Sequence, residues 1–187
     1  LDFRKMERGK LHLNVCQMDL IPYLRQIHQD FTDQANLQNI QFIFHTETEN
    51  LLCWFDGRQL RKVLTNLLSN AFKHTPEKGK IELSITDKED SIYIKVIDSG
   101  KGIPPKALPF IFDRFHKSDR SRSLDRDGVG LGLYLVKSIL DAHGEDIAVT
   151  SRDGVTEFVF TLTLAKPAPK PTAKPESTGR RGGRKSS

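Results

Sequence analysis

Residues 56–76 read DGRQLRKVLTNLLSNAFKHTP, and their spacing decides the fold class. Leu60, Val63, Leu64, Leu67, Leu68, Ala71 and Phe72 recur at steps of three and four, the period of a helix that buries one face. Asp56 stands where an N-cap carboxylate accepts from the first free N–H groups, and Gln59 follows three residues on, as in a capping box. Pro76 cannot continue the helix and marks its end. Along the edge of the apolar face run Asn66, Asn70 and Lys73, four and three residues apart and therefore on one side. Asparagine is a weak interior helix residue, because its amide competes for backbone groups. Its oxygen is also a hard, neutral ligand of the kind Mg2+ accepts, and Lys73 adds a point charge suited to phosphate. The stripe fits either such an edge or a polar flank meeting solvent.

Around this helix the chain alternates between the two regular patterns. Upstream, residues 1–9 read as the end of a helix stopped by Gly9, and 11–15 alternate as in a strand. Asp19 then caps a helix that carries Leu20, Tyr23, Leu24, Ile27 and Phe31 on one face, with Pro22 tolerated in its first turn. Residues 40–46 and 51–56 read as strands. Downstream, 80–86 and 91–98 flank a turn at 87–90 and form a hairpin. Residues 99–130 are rich in glycine, proline and charge, with an apolar knot at 110–115, and are long enough for a functional lid. A helix over 131–143 turns Leu135, Val136, Ile139 and Leu140 inward, and strands at 146–150 and 156–164 follow. Mixed helices and strands with two hairpin-like pairs predict a two-layer α/β sandwich, a mixed sheet packed against about three helices.

The 187 residues, 37% hydrophobic and 28% charged, suit one soluble globular domain with a tail. No apolar run approaches the roughly 20 residues a membrane span needs. Two cysteines, Cys16 and Cys53, are too few for a disulfide framework or a zinc site, so a cytoplasmic setting is expected. The net charge of +5 is concentrated in residues 166–187, where seven Lys/Arg face one acidic residue, Glu176. The other 165 residues hold 22 basic and 23 acidic side chains, a balance of −1. The tail reads as a solvated linker, and no nucleic-acid partner is expected.

Three further features carry chemistry. Asp98-Ser99-Gly100-Lys101-Gly102 follows an apolar strand. A carboxylate there can accept from an exocyclic amine such as that of adenine, and the glycines let backbone approach a flat ring. A tight turn alone would give the same pattern. Gly128-Val129-Gly130-Leu131-Gly132-Leu133 opens a helix, where free N–H groups bind phosphate, and its spacing matches neither the dinucleotide nor the P-loop fingerprint. Between the glycine clusters lie Arg114, Lys117, Arg120, Arg122 and Arg126.

The order of these features resembles the GHKL ATP-binding superfamily, and most closely its sensor histidine kinase branch. TNLLSNAFKHTP (65–76), DSGKGIP (98–104), FIFDRFHK (110–117) and GVGLGLYLVK (128–137) resemble its N, G1, F and G2 boxes in sequence. The resemblance implies an ATP-binding catalytic domain over 11–165, the truncated end of a phosphoacceptor dimerisation helix over 1–10, and a basic disordered tail over 166–187. It implies that Asn70 ligates Mg2+ with Asn66 in support, that Lys73 reaches phosphate, and that His74 lies beside the nucleotide. Asp98 would read adenine with help from Thr156, in a pocket shaped by Gly100, Gly102 and Ile103. Phe112 and Phe115 would anchor a long ATP lid, Arg114 and Lys117 would approach the outer phosphates, Gly128, Gly130 and Gly132 would let the lid swing, and these glycines with Val129, Leu131 and Leu133 would bind the nucleotide.

Hydrolytic members of the superfamily carry a glutamate four residues before the metal-binding Asn, as a base for water. Asn66 stands there in this chain, and an amide takes no proton at neutral pH. The resemblance therefore implies transfer of the ATP γ-phosphate to a histidine on a dimerisation helix that this chain lacks, in a homodimeric two-component kinase that hands phosphate to a response regulator receiver domain. A membrane anchor elsewhere in the whole protein is compatible with it. The alternatives are a hydrolytic ATPase of the superfamily and a nucleotide-binding regulatory module without catalysis. Glu145, where a second glycine is common, and Val129, where threonine is common, are small departures.

Overall fold

The computed structural model describes residues 12–114 and 131–165. The expected helix end at 1–10 and the basic tail from Lys166 lie outside them. Seven strands form one sheet: β1 (Cys16–Asp19), β2 (Gln41–Thr46), β3 (Leu52–Phe55), β4 (Lys80–Lys88), β5 (Ser91–Asp98), β6 (Ile147–Arg152) and β7 (Val155–Leu164). Among the described residues four α-helices accompany them: α1 (Leu20–Asp30), the six-residue α2 (Thr32–Leu37), α3 (Gly57–His74) and α4 (Leu131–Ala142). The sheet runs β1-β3-β7-β5-β4-β2, with β6 also paired to β7. Among the described residues only β2 and β4 pair in parallel, joined through α3, so the sheet is mixed as the sequence predicts.

The helices cover one face. On β5 the buried positions are Ile92, Ile94, Val96 and Asp98, and the alternate residues are half-buried on the open face. β7 buries Thr156, Phe158, Phe160 and Leu162 in the same rhythm. Against these lies the apolar stripe of α3, with Leu60, Val63, Leu64, Leu67 and Leu68 each fully buried. Cutting Leu67 back to alanine would cost about 2–5 kcal/mol, because so closed a site cannot collapse around the cavity.

The caps follow the sequence. The Asp56 carboxylate accepts from the N–H groups of Arg58 and Gln59, and Asp19 accepts from Ile21. Two local expectations are corrected. Residues 12–15 are irregular, and the strand runs over Cys16–Asp19, because pairing with β3 (Cys16 opposite Phe55, Asp19 opposite Leu52) sets its position. Phe31 is the C-cap of α1 rather than part of it. Its ring stacks on Phe72 at 5.7 Å, and α2 starts afresh at Thr32.

His143, just after α4, fastens that helix to the entrance of α3. Its ring stacks on Phe55 at 3.6 Å between centroids, and its Nε2 accepts the N–H of Asp56 at 3.3 Å. Nδ1 lies 2.8 Å from the Ile139 carbonyl, so the proton sits on Nδ1 and the imidazole is neutral. Burial lowers its pKa, opposed by the Ile139 bond and the nearby Asp56 charge. Among the described residues no helix is long and apolar enough to cross a membrane.

Candidate functional site

One end of the sheet gathers the polar residues that an apolar core should not contain. Asp98, the last residue of β5, is 3% exposed, and Thr156, directly opposite it on β7, is also 3% exposed. Burial of this kind is costly unless the group is satisfied or held for a ligand. Asp98 Oδ1 accepts from the Gly100 N–H at 2.9 Å. Its pKa is raised, because burial disfavours the charge more than that single bond favours it. Ser151 lies opposite Thr156 on the other side, so Asp98, Thr156 and Ser151 form a row across three strands. The Ser151 and Thr156 hydroxyls are 2.9 Å apart, and Ser151 Oγ accepts the Ile103 N–H at 2.8 Å.

The glycines of the turn after β5 are set by contact. A Cβ on Gly100 would lie 2.5 Å from the carbonyl oxygen of His74 and 2.8 Å from Asp98 Oδ1. Gly102 has φ of +79°, and its Cβ would press on Ser151 Oγ at 3.0 Å. The turn is thus clamped between the end of α3 and the β6–β7 hairpin. Beside it, Lys101, Gly102, Ile103, Ser151, Arg152 and Gly154 line a hollow of about 320 Å3.

Along α3, Asn66 and Asn70 are half-buried on one side, as their spacing requires. Asn66 Nδ2 donates to the Lys62 carbonyl at 2.7 Å, which aims its oxygen away from the helix. That oxygen lies 2.8 Å from where a Cβ on Gly132 would stand, so the first turn of α4 packs directly against it. Asn70 makes no hydrogen bond among the described residues. Lys73 and His74 are exposed in the last turn. Lys73 lines a separate hollow with Leu37, Asn39, Phe72, Thr75 and Glu77, and neither Asn66 nor Asn70 borders it. The stripe read from the sequence therefore divides, with Asn66 toward α4 and Lys73 toward α2.

The segment after the turn starts anchored. Phe112 is half-buried, packed on the core edge-on to Phe158 at 6.1 Å. Ile111 is buried, Arg114 is exposed, and Leu133 packs partly buried against the core. Leu131 is the first residue of α4. Phe115, Lys117, Arg120, Arg122, Arg126, Gly128, Val129 and Gly130 lie outside the described residues.

No cluster of three or more His, Cys, Asp or Glu that could hold a metal occurs among the described residues. The donor on offer is the amide of Asn70. One neutral oxygen suits a Mg2+ ion held mainly by phosphate oxygens and water, and does not suit an ion held by protein alone. Sequence reasoning missed Ser151, which falls one residue past the strand expected at 146–150. It also missed His143 as a fastening.

Residues 55–166 match the family described as histidine kinase-, DNA gyrase B- and HSP90-like ATPases. The sensor histidine kinase WalK of Bacillus subtilis is 39% identical over 165 residues, which cover 87% of this chain and 27% of WalK. The catalytic domain of histidine kinase ThkA superposes with a TM-score of 0.72 at 29% identity, over 80% of this chain and 97% of that one. ThkA in complex with the response regulator protein TrrA gives 0.71 at 26% identity, over 87% of this chain and 46% of that one. Full-length ShkA in complex with AMPPNP gives 0.77 at 27% identity, over 89% and 34%. The chain spans a third or less of the length of the curated relatives it matches. With a match over more than half of the chain, on a fold shared with the ThkA catalytic domain, the chain belongs to the family of histidine kinase-, DNA gyrase B- and HSP90-like ATPases.

Proposed function

We propose that this chain is the ATP-binding catalytic domain of a sensor histidine kinase and passes the terminal phosphoryl group of ATP to a histidine on a separate dimerisation helix. The observation that carries the reading is the buried Asp98. One of its oxygens is held by Gly100, and the other makes no hydrogen bond among the described residues. That spare acceptor suits the exocyclic amine of adenine, with Thr156 beside it as the second polar contact. Gly100 and Gly102 let the turn approach the ring, and Ile103 offers an apolar wall. Asn70 would hold Mg2+, which when bound neutralises phosphate charge. Lys73, Arg114 and Lys117 would supply cations to the phosphates, His74 would border the nucleotide, and 115–130 with Leu131, Gly132 and Leu133 would form the lid and its hinge, anchored through Phe112 and Phe115.

In the transfer a P–O bond of ATP breaks and a P–N bond to imidazole forms. The imidazole proton leaves to a base outside this chain, and ADP departs. This chain contributes positioning and charge neutralisation, which is most of what phosphoryl transfer asks of a protein. Asn66 supports transfer over hydrolysis, since its amide is bound to Lys62 and cannot take a proton from water. The reading extends to a homodimeric whole protein and to a response regulator receiver domain as phosphate acceptor, the latter by analogy with ThkA in complex with TrrA.

The test mixes this chain with a two-helix segment of its own whole protein that bears the histidine, and with γ-labelled ATP and Mg2+. Acid-labile label on the segment is expected. Release of free phosphate without labelled protein, at a rate indifferent to the segment, would favour hydrolysis and contradict the reading.

A further inference from the structure

We propose that Ser151 is a positioning residue that sets the donor direction of the Thr156 hydroxyl and thereby the preference for adenine. The proposal rests on the reading of Asp98 and Thr156 as the purine contacts. Three observations carry it. Ser151 stands in register with Thr156, which stands in register with Asp98. Its hydroxyl lies 2.9 Å from Thr156 Oγ1. It also accepts the Ile103 N–H at 2.8 Å, across 48 residues of chain.

A serine hydroxyl has one proton and two lone pairs. Ile103 occupies one lone pair, so the bond to Thr156 runs through either the Ser151 proton or the Thr156 proton. Thr156 stands between Ser151 and the Asp98 carboxylate. With one Ser151 lone pair already taken by the Ile103 N–H, Ser151 acts as the donor and Thr156 as the acceptor, which leaves the Thr156 proton for the ligand. The Thr156 proton is then directed toward the Asp98 side of the pocket. The row presents an acceptor at Asp98 and a donor at Thr156.

That order matches one purine edge. Adenine offers an amine donor next to a ring-nitrogen acceptor, whereas hypoxanthine and guanine offer a carbonyl acceptor next to an N–H donor. Reversing both partners leaves both buried groups unpaired, which is the strongest form of discrimination a polar site has. Without the Ser151 hydroxyl, Thr156 rotates freely and its donor is no longer fixed. The Ile103 N–H loses its partner as well, and the turn through Gly102 loosens.

The experiment measures binding of ATP and inosine triphosphate to the unchanged chain, Ser151→Ala, Ser151→Thr, Thr156→Val and the Ser151→Ala/Thr156→Val pair. Ser151→Ala is expected to weaken ATP about fivefold more than inosine triphosphate, so the preference falls about fivefold beyond whatever the loosened turn costs both alike. Ser151→Thr keeps a hydroxyl and should retain the preference. In the Thr156→Val background, removing Ser151 should leave the preference where Thr156→Val alone puts it. Equal losses for both nucleotides, or additive losses of preference in the pair, would overturn the positioning role and leave the site itself standing. Failure of the unchanged chain to bind ATP would overturn the site and this role together.

Discussion

The backbone of Gly100 lies against the carbonyl of His74, so close that one methyl group on Gly100 would stand 2.5 Å from that oxygen. The end of α3 and the exit of β5 are therefore held together by contact that only glycine permits. Gly100→Ala should push the turn away from α3 and disturb Asp98, whose Oδ1 the same methyl would meet at 2.8 Å. We expect a loss of about 1–3 kcal/mol in stability and at least a tenfold loss of ATP affinity. Urea unfolding and nucleotide titration of the variant check both.

Gly132 is a second such contact. Its Cβ would lie 2.8 Å from Asn66 Oδ1, and Asn66 is pinned by its bond to Lys62. Gly132→Ala should lift the start of α4 from α3. Alanine favours helix by about 1 kcal/mol over glycine, so local propensity and packing oppose one another. We expect packing to prevail, with lower stability and weaker ATP binding. A more stable variant with unchanged binding would show that α4 yields without consequence.

Protonation of His143 should unfasten α4. Burial holds its pKa below the ordinary 6.5, so the folded chain takes up fewer protons there than the unfolded chain. The stabilisation is full above pH 6.5 and is lost as pH falls below it. His143→Phe keeps a ring for Phe55 but neither hydrogen bond, and should be about 1–2 kcal/mol less stable at pH 7.5. That deficit should shrink toward pH 5. Thermal midpoints of both proteins across this range measure it.

Glu145 has the opposite sign. Its carboxyl is pushed up to about 7, first by burial and further by the Asp146 charge, against the hydrogen bond from Thr163. A raised carboxyl stabilises the fold below its ordinary 4.5 and loses that contribution as pH rises through 7. Glu145→Gln keeps an acceptor for Thr163 without the charge. Allowing for solvent screening, it should gain about 1–2 kcal/mol at pH 8 and nothing at pH 4. Urea midpoints at the two pH values decide it.

The parts legible in the sequence are those where local pattern and tertiary demand agree. The apolar rhythm of 57–74 and the strand pair 80–98 leave one solution each, and Asp56 and Asp19 cap the helices as expected. Where long-range pairing decides, local reading misleads. Residues 11–15 alternate as well as 16–19 do, but β3 selects the latter. Phe31 continues the apolar period of α1, yet Phe72 takes its ring. At the site, Asp98 and the glycines stand out because a buried acid and tight turns are costly choices of residue. Ser151 does not, because a serine near Asp153-Gly154 looks like ordinary hairpin chemistry. Its two partners, Ile103 and Thr156, are visible only once β6 and β7 are paired.

The central claim is that Asp98 grips adenine. Titrating ATP and Mg2+ into the chain and into Asp98→Asn by calorimetry tests it most directly. Asparagine keeps the shape but can turn an N–H toward the amine where a lone pair is needed. The account predicts saturable ATP binding by the unchanged chain and at least a hundredfold loss in the variant, with the fold intact by circular dichroism. ATP affinity unaffected by Asp98→Asn would contradict it.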